Sequence, residues 1–442
     1  MSTKVLWKLR MSLLSILCPM ILFSAGIGAA ADIKVFTGAR LMPVSGPVIE
    51  DGALVVRDGK IESLGAREDV VVPTGAENVD VSGKTIIPGL ICTHSHIGMG
   101  GGGDSSGPIQ PECWTLDSVN VRSASLERAR AGGLTLVNQM PGSGHLISGR
   151  TTYLKLRKGG TVDELLIKDE SGWPMGGLKM ANGTNSQRSS PFPGTRAKSA
   201  ALVRESYVKA QEYRDKIARA EGDPEKMPER NLRMEALVEA LEGKRIVHHH
   251  THRHDDILTV LRLRDEFGFQ VVLHHVSDAW KVVDEIAAAK APCSIIVIDS
   301  PGGKLEARDI RMENGVELEK AGVNVAFHTD DFITDSRLFL RSAALGARAG
   351  MSREGALRAL TLSGAEMLGL EERTGSLEPG KDADFVILSG DPLSVYTQVL
   401  ETWVEGIRVF DRSDPEQRLF AVGGRGAGDD QAYQCCGERG EQ

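Results

Sequence analysis

Two histidines, His94 and His96, stand two residues apart in an apolar run that begins near Ile86. On an extended strand that spacing turns both imidazoles to the same side of the sheet. Neutral imidazole is the commonest protein ligand for metal ions, so the pair begins a metal site. In His248-His249-His250-Thr251-His252, alternation puts His248, His250 and His252 on one face and His249 on the other. A third run ends in His274-His275, of which alternation turns one inward, and a fourth ends in His328-Thr329-Asp330-Asp331, where Asp330 shares a face with His328. Of the 11 histidines, only His145 and His254 fall outside these strand ends. Core histidines bonded to backbone would not gather so, and a His-rich ring with one Asp suits zinc or a similar first-row ion. One or two such divalent ions lower the pKa of a bound water to about 7. Asp330 is then placed to accept that water's proton and return it to a leaving nitrogen, with His252 the next candidate for the role. No redox chemistry is implied.

Strand-like and helix-like segments alternate around these residues, the signature of a parallel α/β fold. The predicted strands run from Ile86 to His96, Leu134 to Met140, Thr152 to Leu156, Gly177 to Ala181, Arg245 to Thr251, Gln270 to Ser277, Ser294 to Asp299 and Val323 to Asp331. Eight parallel strands close a TIM barrel, whose catalytic groups come from the carboxyl ends of several strands. Helices are expected at Leu126 to Ala131, Asp255 to Phe267, Trp280 to Ala289 and Glu313 to Ala321. An Arg-, Glu- and Ala-rich insertion, Ser186 to Glu242, reads as helical; it either shapes a pocket or is a solvated decoration. Short alternating runs broken by turns, from Ile33 to Thr85 and again from Gly375 to Arg412, read as antiparallel β and suggest one small β-sandwich made from both ends of the chain.

The predicted organisation is therefore a leader at 1–31, sandwich at 32–86, barrel at 87–373, sandwich again at 374–425, and a disordered tail at 426–442. The leader has Lys4, Lys8 and Arg10, an apolar run from Met11 to Ile27, and Ala29-Ala30-Ala31. That run is short for a membrane span and ends in small residues, so cleavage before Asp32 and a periplasmic or secreted location are expected, with no membrane association afterwards. Cys18 lacks the small residues that precede a lipid attachment site. Cys92 and Cys293 read as buried thiols, Cys435 and Cys436 lie in the polar tail, and with Cys113 they show no metal-knuckle spacing and no disulfide framework. Over 442 residues the net charge is −8 and aromatic residues make up 5%, which argues against nucleic acid as a partner and leaves a small-molecule substrate. Self-association is left open.

Pro88-Gly89-Leu90-Ile91-Cys92-Thr93-His94-Ser95-His96 resembles the first-strand metal motif of the amidohydrolase superfamily. The resemblance extends to His250, His275 and Asp330, and to the return segment Thr374-Gly375-Ser376-Leu377-Glu378-Pro379-Gly380-Lys381-Asp382-Ala383-Asp384. Within the superfamily, Gly177-Leu178-Lys179-Met180-Ala181-Asn182-Gly183 and His250-Thr251-His252-Arg253-His254-Asp255-Asp256-Ile257 look most like an exported branch grouped with imidazolonepropionase-related amidohydrolases. It implies hydrolysis of a carbon–nitrogen bond in a small amide, cyclic amide or peptide-like substrate, with metal ligands at His94, His96, Lys179, His250, His275 and Asp330. Whether His274 or His275, and His250 or His252, is the ligand stays open. Lys179 occupies the place where binuclear relatives carry a carbamylated lysine; a free ammonium cannot coordinate an ion, whereas its carbon dioxide adduct is an anionic ligand able to bridge two. The alternative is a lysine that points outward or pairs with a neighbour. In two respects the chain departs from the pattern: the usual Asp of the first motif is Cys92, and the Glu that zinc deaminases carry three residues after the fifth-strand histidine is Arg253, which disfavours deamination.

The same site would serve an ester, lactone or phosphotriester hydrolase, and a barrel that only binds its ligand is a third reading. Gly98 to Asp104 lacks the ending of a phosphate loop and reads as a loop over the site. His145, Arg150 and Tyr153 are candidate substrate contacts or ordinary structural residues.

Overall fold

The computed structural model describes residues 32–98, 103–104, 106–297, 304–331 and 333–425. The leader at 1–31, the tail at 426–442, most of the glycine loop, and the end of the predicted seventh strand lie outside the described residues. Among the described residues no helix is long and apolar enough to cross a membrane.

Strands from the two ends of the described chain build one mixed eight-stranded sheet. Its path runs Ile407–Asp411, Val399–Val404, Phe385–Leu388, Thr85–Pro88, Ile33–Leu41, Ile49–Arg57, Lys60–Ala66, with Glu77–Asp80 beside Ile33–Leu41. Alternation of apolar and polar residues gives this sheet its own core, in which Phe36 meets Phe385 and Trp403 edge-on at ring distances of 4.9 and 5.0 Å.

The predicted strand Ile86 to His96 divides at Gly89. Thr85–Pro88 belongs to the mixed sheet and Leu90–Ser95 to the α/β body. A side chain at residue 89 would sit 2.2 Å from Thr135 Oγ1, so only glycine lets the chain cross this close to its neighbour.

In the α/β body, Leu178–Ala181, Val247–Thr251, Val271–His275, Cys293–Ile295 and Val325–Phe327 lie parallel in that order. Leu90–Ser95 pairs in parallel with Leu134–Gln139. The third position departs from an all-parallel ring. Thr152–Lys155 runs antiparallel to Leu134–Gln139, and Ile147–Arg150 runs antiparallel to Leu178–Ala181, so one reversed segment joins the two groups. Only a short loop, Met140 to Leu146, connects it to the preceding strand, and a parallel crossover needs a dozen or more residues. At the other seam, a backbone hydrogen bond from Asp330 to the His94 carbonyl, 3.0 Å, links the last strand's end to the first, without a ladder.

Helices Ala124–Ala131, His254–Phe267, Val283–Ala288 and Asn314–Lys320 flank these strands. The predicted Trp280 to Ala289 helix is interrupted: Ala279–Lys281 is a separate single turn. The insertion folds as Arg196–Ala220 and Leu232–Leu241, the first capped by the Thr195 hydroxyl and the second by the Asn231 side chain. Tyr207 seats the longer helix by stacking on Phe267 and Phe269.

Candidate metal centre

The carboxyl ends of the first, fourth, fifth, sixth and eighth strand positions bring His94, His96, Lys179, His250, His252, His275 and Asp330 into one buried neighbourhood. Asp330 Oδ1 lies 3.1 Å from His96 Nε2 and 3.3 Å from His94 Nε2. Lys179 Nζ lies 3.1 Å from His94 Nε2 and 3.1 Å from Met140 Sδ, so its side chain points into the cluster. The ring of His275 is 4.9 Å from that of His94 and 4.4 Å from that of His250. Donor atoms of His94, His275 and Asp330 all fall within 4.8 Å of one another, the spacing of a prospective ion-binding group.

Strand alternation left one of His274 and His275 facing inward, but both rings join the cluster. His275 and Val276 have φ of 69° and 40°, which swings His275 toward His250 and His252 while His274 packs against His94, His248 and His328. Asp330 is likewise left-handed, with φ of 45°. Such conformations in non-glycine residues cost about 1–3 kcal/mol each and persist where surroundings over-determine them.

The three same-face residues of the fifth strand divide into two layers. His248 sits lower, with Nδ1 3.0 Å from His274 Nε2 and Nε2 3.2 Å from the Tyr153 hydroxyl. His250 and His252 form the upper layer, 4.6 Å apart between rings. His328 links downward and sideways: Nδ1 is 2.7 Å from Ser294 Oγ and Nε2 is 3.2 Å from His275 Nδ1.

Burial decides the protonation of these rings. It pushes the pKa of His94, His250, His274 and His275 well below the ordinary imidazole value, and it brings His248, His249, His252 and His328 to about 3. The Lys179 charge reinforces the shift at His94 and His248, and the Lys304 charge does so at His250 and His252. Neutral imidazole is the ligand form. Burial raises the Asp330 carboxyl, but the hydrogen bond from His96 and the nearby Lys179 charge help outweigh it, and the net shift is downward.

Several donor atoms are buried without a hydrogen-bond partner among the described residues: His94 Nδ1, both nitrogens of His250, His252 Nε2, His274 Nδ1 and His275 Nε2. A buried polar atom left unsatisfied costs about 1–3 kcal/mol, so this density of them marks a place built for a ligand. Imidazoles, a carboxylate and a lysine that can be carbamylated are the donor set of a zinc-type divalent ion, and the residues therefore fit one.

Cys92, where the first motif departs from its pattern, is a packing residue. Its thiol, pushed up to about 12 by burial, lies 3.1 Å from the His94 carbonyl and 3.2 Å from Thr329 Oγ1. Arg253 turns outward to pair with Asp255 at 2.8 Å. His145 is buried beside Asp104 and the Phe192 ring, and Arg150 covers the face of Trp114 at 4.5 Å. One residue went unnoticed in sequence: Glu306, buried near His250 and His252. It stands in a single 3-10 turn, Leu305–Ala307, with no periodic pattern to announce it. A surface cleft lined by Ile246, Phe269, Gln270, Pro292 and Met367 lies at the opposite, amino-terminal ends of the strands, and no histidine lines it.

Comparison with known proteins bears on the family and the fold. Residues 219–410 match the profile of the Amidohydrolase family. The crystal structure of an amidohydrolase from Thermotoga maritima MSB8 superposes with a TM-score of 0.80 at 34% identity, covering 86% of this chain and 100% of that one. Amidohydrolase tasK of Hapsidospora irregularis is 25% identical over 356 residues, 73% of this chain but 36% of its own length. An imidazolonepropionase from Pseudomonas fluorescens is 34% identical over 110 residues, 24% of this chain and 27% of its own. The chain thus spans about a third of the length of these two curated relatives.

Proposed function

Given that this chain belongs to the amidohydrolase superfamily, with 34% identity over the whole of a solved amidohydrolase, we propose that it is a metal-dependent hydrolase of a carbon–nitrogen bond in a small amide, cyclic amide or peptide-like substrate. One observation carries the reading: His94, His275 and Asp330 offer donor atoms within 4.8 Å of one another beside Lys179, with buried imidazole nitrogens left unsatisfied. On this reading the α/β body is a TIM barrel despite its reversed third segment, and the chain is exported and cleaved before Asp32.

His94, His96, His275 and Asp330 would hold a divalent ion, zinc by donor type, with Lys179 as its carbamate and His250 beside them. Such an ion polarises a scissile carbonyl and lowers the pKa of a bound water to about 7. Asp330, held ionised in part by its contact with His96, would be the group placed to take a proton from an attacking water and return it to the leaving nitrogen. His96 is held for this purpose by the Met140 carbonyl, 2.8 Å from Nδ1. A substrate panel of dipeptides, cyclic amides, lactones and phosphotriesters, run before and after chelation, tests the proposal. Chelator-sensitive hydrolysis of amides supports it. Turnover confined to lactones or phosphotriesters reassigns the bond cleaved, and turnover indifferent to chelation removes the metal. For Lys179, the expected result is that Lys179→Ala binds less metal per chain and regains activity with a short carboxylic acid. Normal metal content and turnover in that variant would remove the lysine from the centre.

A further inference from the structure

In the single turn Leu305–Ala307, Leu305 is 81% exposed while the next residue, Glu306, turns inward with 3% of its side chain exposed. One carboxylate oxygen is committed to the protein: Oε2 accepts the Thr184 backbone N–H at 2.8 Å and faces Arg196 Nη2 at 3.5 Å. Arg196 is itself held by both oxygens of Asp256, at 3.0 and 2.9 Å, so one guanidinium is shared between two carboxylates. Glycine at 183 admits Oε2, since a Cβ there would lie 2.6 Å from it at a φ of 71°. The other oxygen, Oε1, is buried with no hydrogen-bond partner among the described residues. His252 Nδ1 lies 2.8 Å from Ser277 Oγ, while its Nε2 has no such partner. Donating from Nδ1 to that hydroxyl, His252 keeps a lone pair on Nε2. One nitrogen or oxygen from each of His250, His252 and Glu306 lies within 4.8 Å of the other two.

We infer that Glu306 is a substrate-binding residue whose Oε1 takes a primary ammonium group of the substrate, with His252 Nε2 as a second acceptor. Neighbouring acceptors with no donor between them call for a ligand made of donors, and an ammonium offers three N–H bonds and no lone pair. Two acceptors bonded at about 2.9 Å to one tetrahedral nitrogen lie about 4.7 Å apart, which the 4.8 Å bound on this group accommodates. Arg196 sets the charge that fits: its guanidinium repels a divalent ion at Oε1 about twice as strongly as a monovalent ammonium at the same distance. A substrate without the donor leaves Oε1 buried and unpaired, and a site built that way rejects it. The His252 ring stacks on that of His275 at 5.1 Å, so the ammonium sits one ring away from the group of His94, His275 and Asp330. That spacing suits an amine within a few bonds of the scissile carbonyl, as the α-amine of a dipeptide is. The inference rests on the hydrolase reading above and narrows its substrate class to small peptide-like amides that carry a free amine.

In the test, each dipeptide of the panel above is compared with its des-amino analogue, in which hydrogen replaces the ammonium, on the full metal-loaded chain. The free amine is expected to have a kcat/KM at least about tenfold higher, with the difference mainly in KM. Glu306→Gln should remove that preference by weakening only the amine, while metal per chain, by elemental analysis, stays unchanged. Should Glu306→Gln not fold, by circular dichroism, Glu306→Asp takes its place, with the preference reduced because the shorter carboxylate falls back from the ammonium. An equal loss on both substrates makes Glu306 structural and overturns the inference. Loss of metal from Glu306→Gln overturns it in favour of a metal ligand. An unaltered chain that shows no preference for the amine, or that hydrolyses cyclic amides and no dipeptide, also overturns it and leaves the hydrolase reading standing. Turnover indifferent to chelation fails the hydrolase reading instead, whatever the preference between amine and analogue.

Discussion

Two clusters of ionisable side chains are buried in this chain, and they are finished in opposite ways. Where the mixed sheet meets the α/β body, Lys155 contacts Asp382 and Asp384, the latter at 2.6 Å, and Asp382 also receives Lys60 at 2.6 Å and Arg373 at 2.8 Å. Asp384 further accepts the Thr374 hydroxyl and the Glu405 backbone N–H, and Glu405 pairs with Arg157 at 2.6 Å. Every charge there has its counter-charge. Around His94 and His250, several imidazole nitrogens have no hydrogen-bond partner among the described residues, and the two carboxylates that stand there, Asp330 beside His94 and Glu306 beside His250, are outnumbered by rings. A saturated network needs nothing more and holds two layers together. An unsaturated one of equal burial leaves donor atoms that a ligand can complete, and that difference separates scaffold from candidate site.

The comparison can be broken at either cluster. The largest effect is expected from Lys155→Met, which takes from Asp384 its lysine counter-charge and from Asp382 one of its three cationic partners; breaking a buried pair costs about 3–5 kcal/mol. Denaturant unfolding should show that loss while metal bound per folded chain stays unchanged; a loss of metal with unaltered stability would reverse the two assignments. Asp330→Asn should do the opposite, keeping its circular dichroism and unfolding midpoint while turnover falls at least about a hundredfold, some 2.7 kcal/mol of barrier. Near-normal turnover would move the proton transfer elsewhere, with His252 the next residue to test. The smallest effect is on acid stability. Burial raises the Asp382 carboxyl, but Lys155, Lys60 and Arg373 outweigh it and hold it below the carboxylate range. Its contribution is therefore present above an unfolded pKa near 4 and is lost as pH falls from there toward the depressed folded value. The slope is at most about 1.4 kcal/mol per pH unit for the one proton. Urea unfolding between pH 5 and 2, as an order-of-magnitude window, should lose this slope in Asp382→Asn; an identical slope would place the acid sensitivity on other groups.

Much of the candidate site was legible because its signals are local. The spacing of His94 and His96, and Asp330 two residues after His328, depend only on period-two geometry, and the structure places these residues within contact of one another. What alternation could not supply was the turn of the backbone at His275 and Val276, a left-handed departure that brings both His274 and His275 inward. Glu306 was hidden for another reason: its role depends on residues far away in sequence, Gly183, Thr184 and Arg196, meeting a single irregular turn. In the fold, hydrophobic runs located the strands to within a few residues, yet a run carries no direction. Thr152–Lys155 therefore read as one more parallel strand, although the short loop before it permits only reversal. Lys155 likewise looked like an ordinary polar residue of that strand, because its partners Asp382 and Asp384 lie more than two hundred residues away.

The central claim is that the unsaturated cluster is a metal centre. Elemental analysis of the purified chain beside a His94→Ala, His96→Ala double variant tests it most directly. The account predicts between one and two equivalents of zinc or a similar divalent ion on the unaltered chain, as two-metal and one-metal hydrolytic sites hold, and loss of at least one of them in the folded double variant. Full retention of metal by that variant would contradict it.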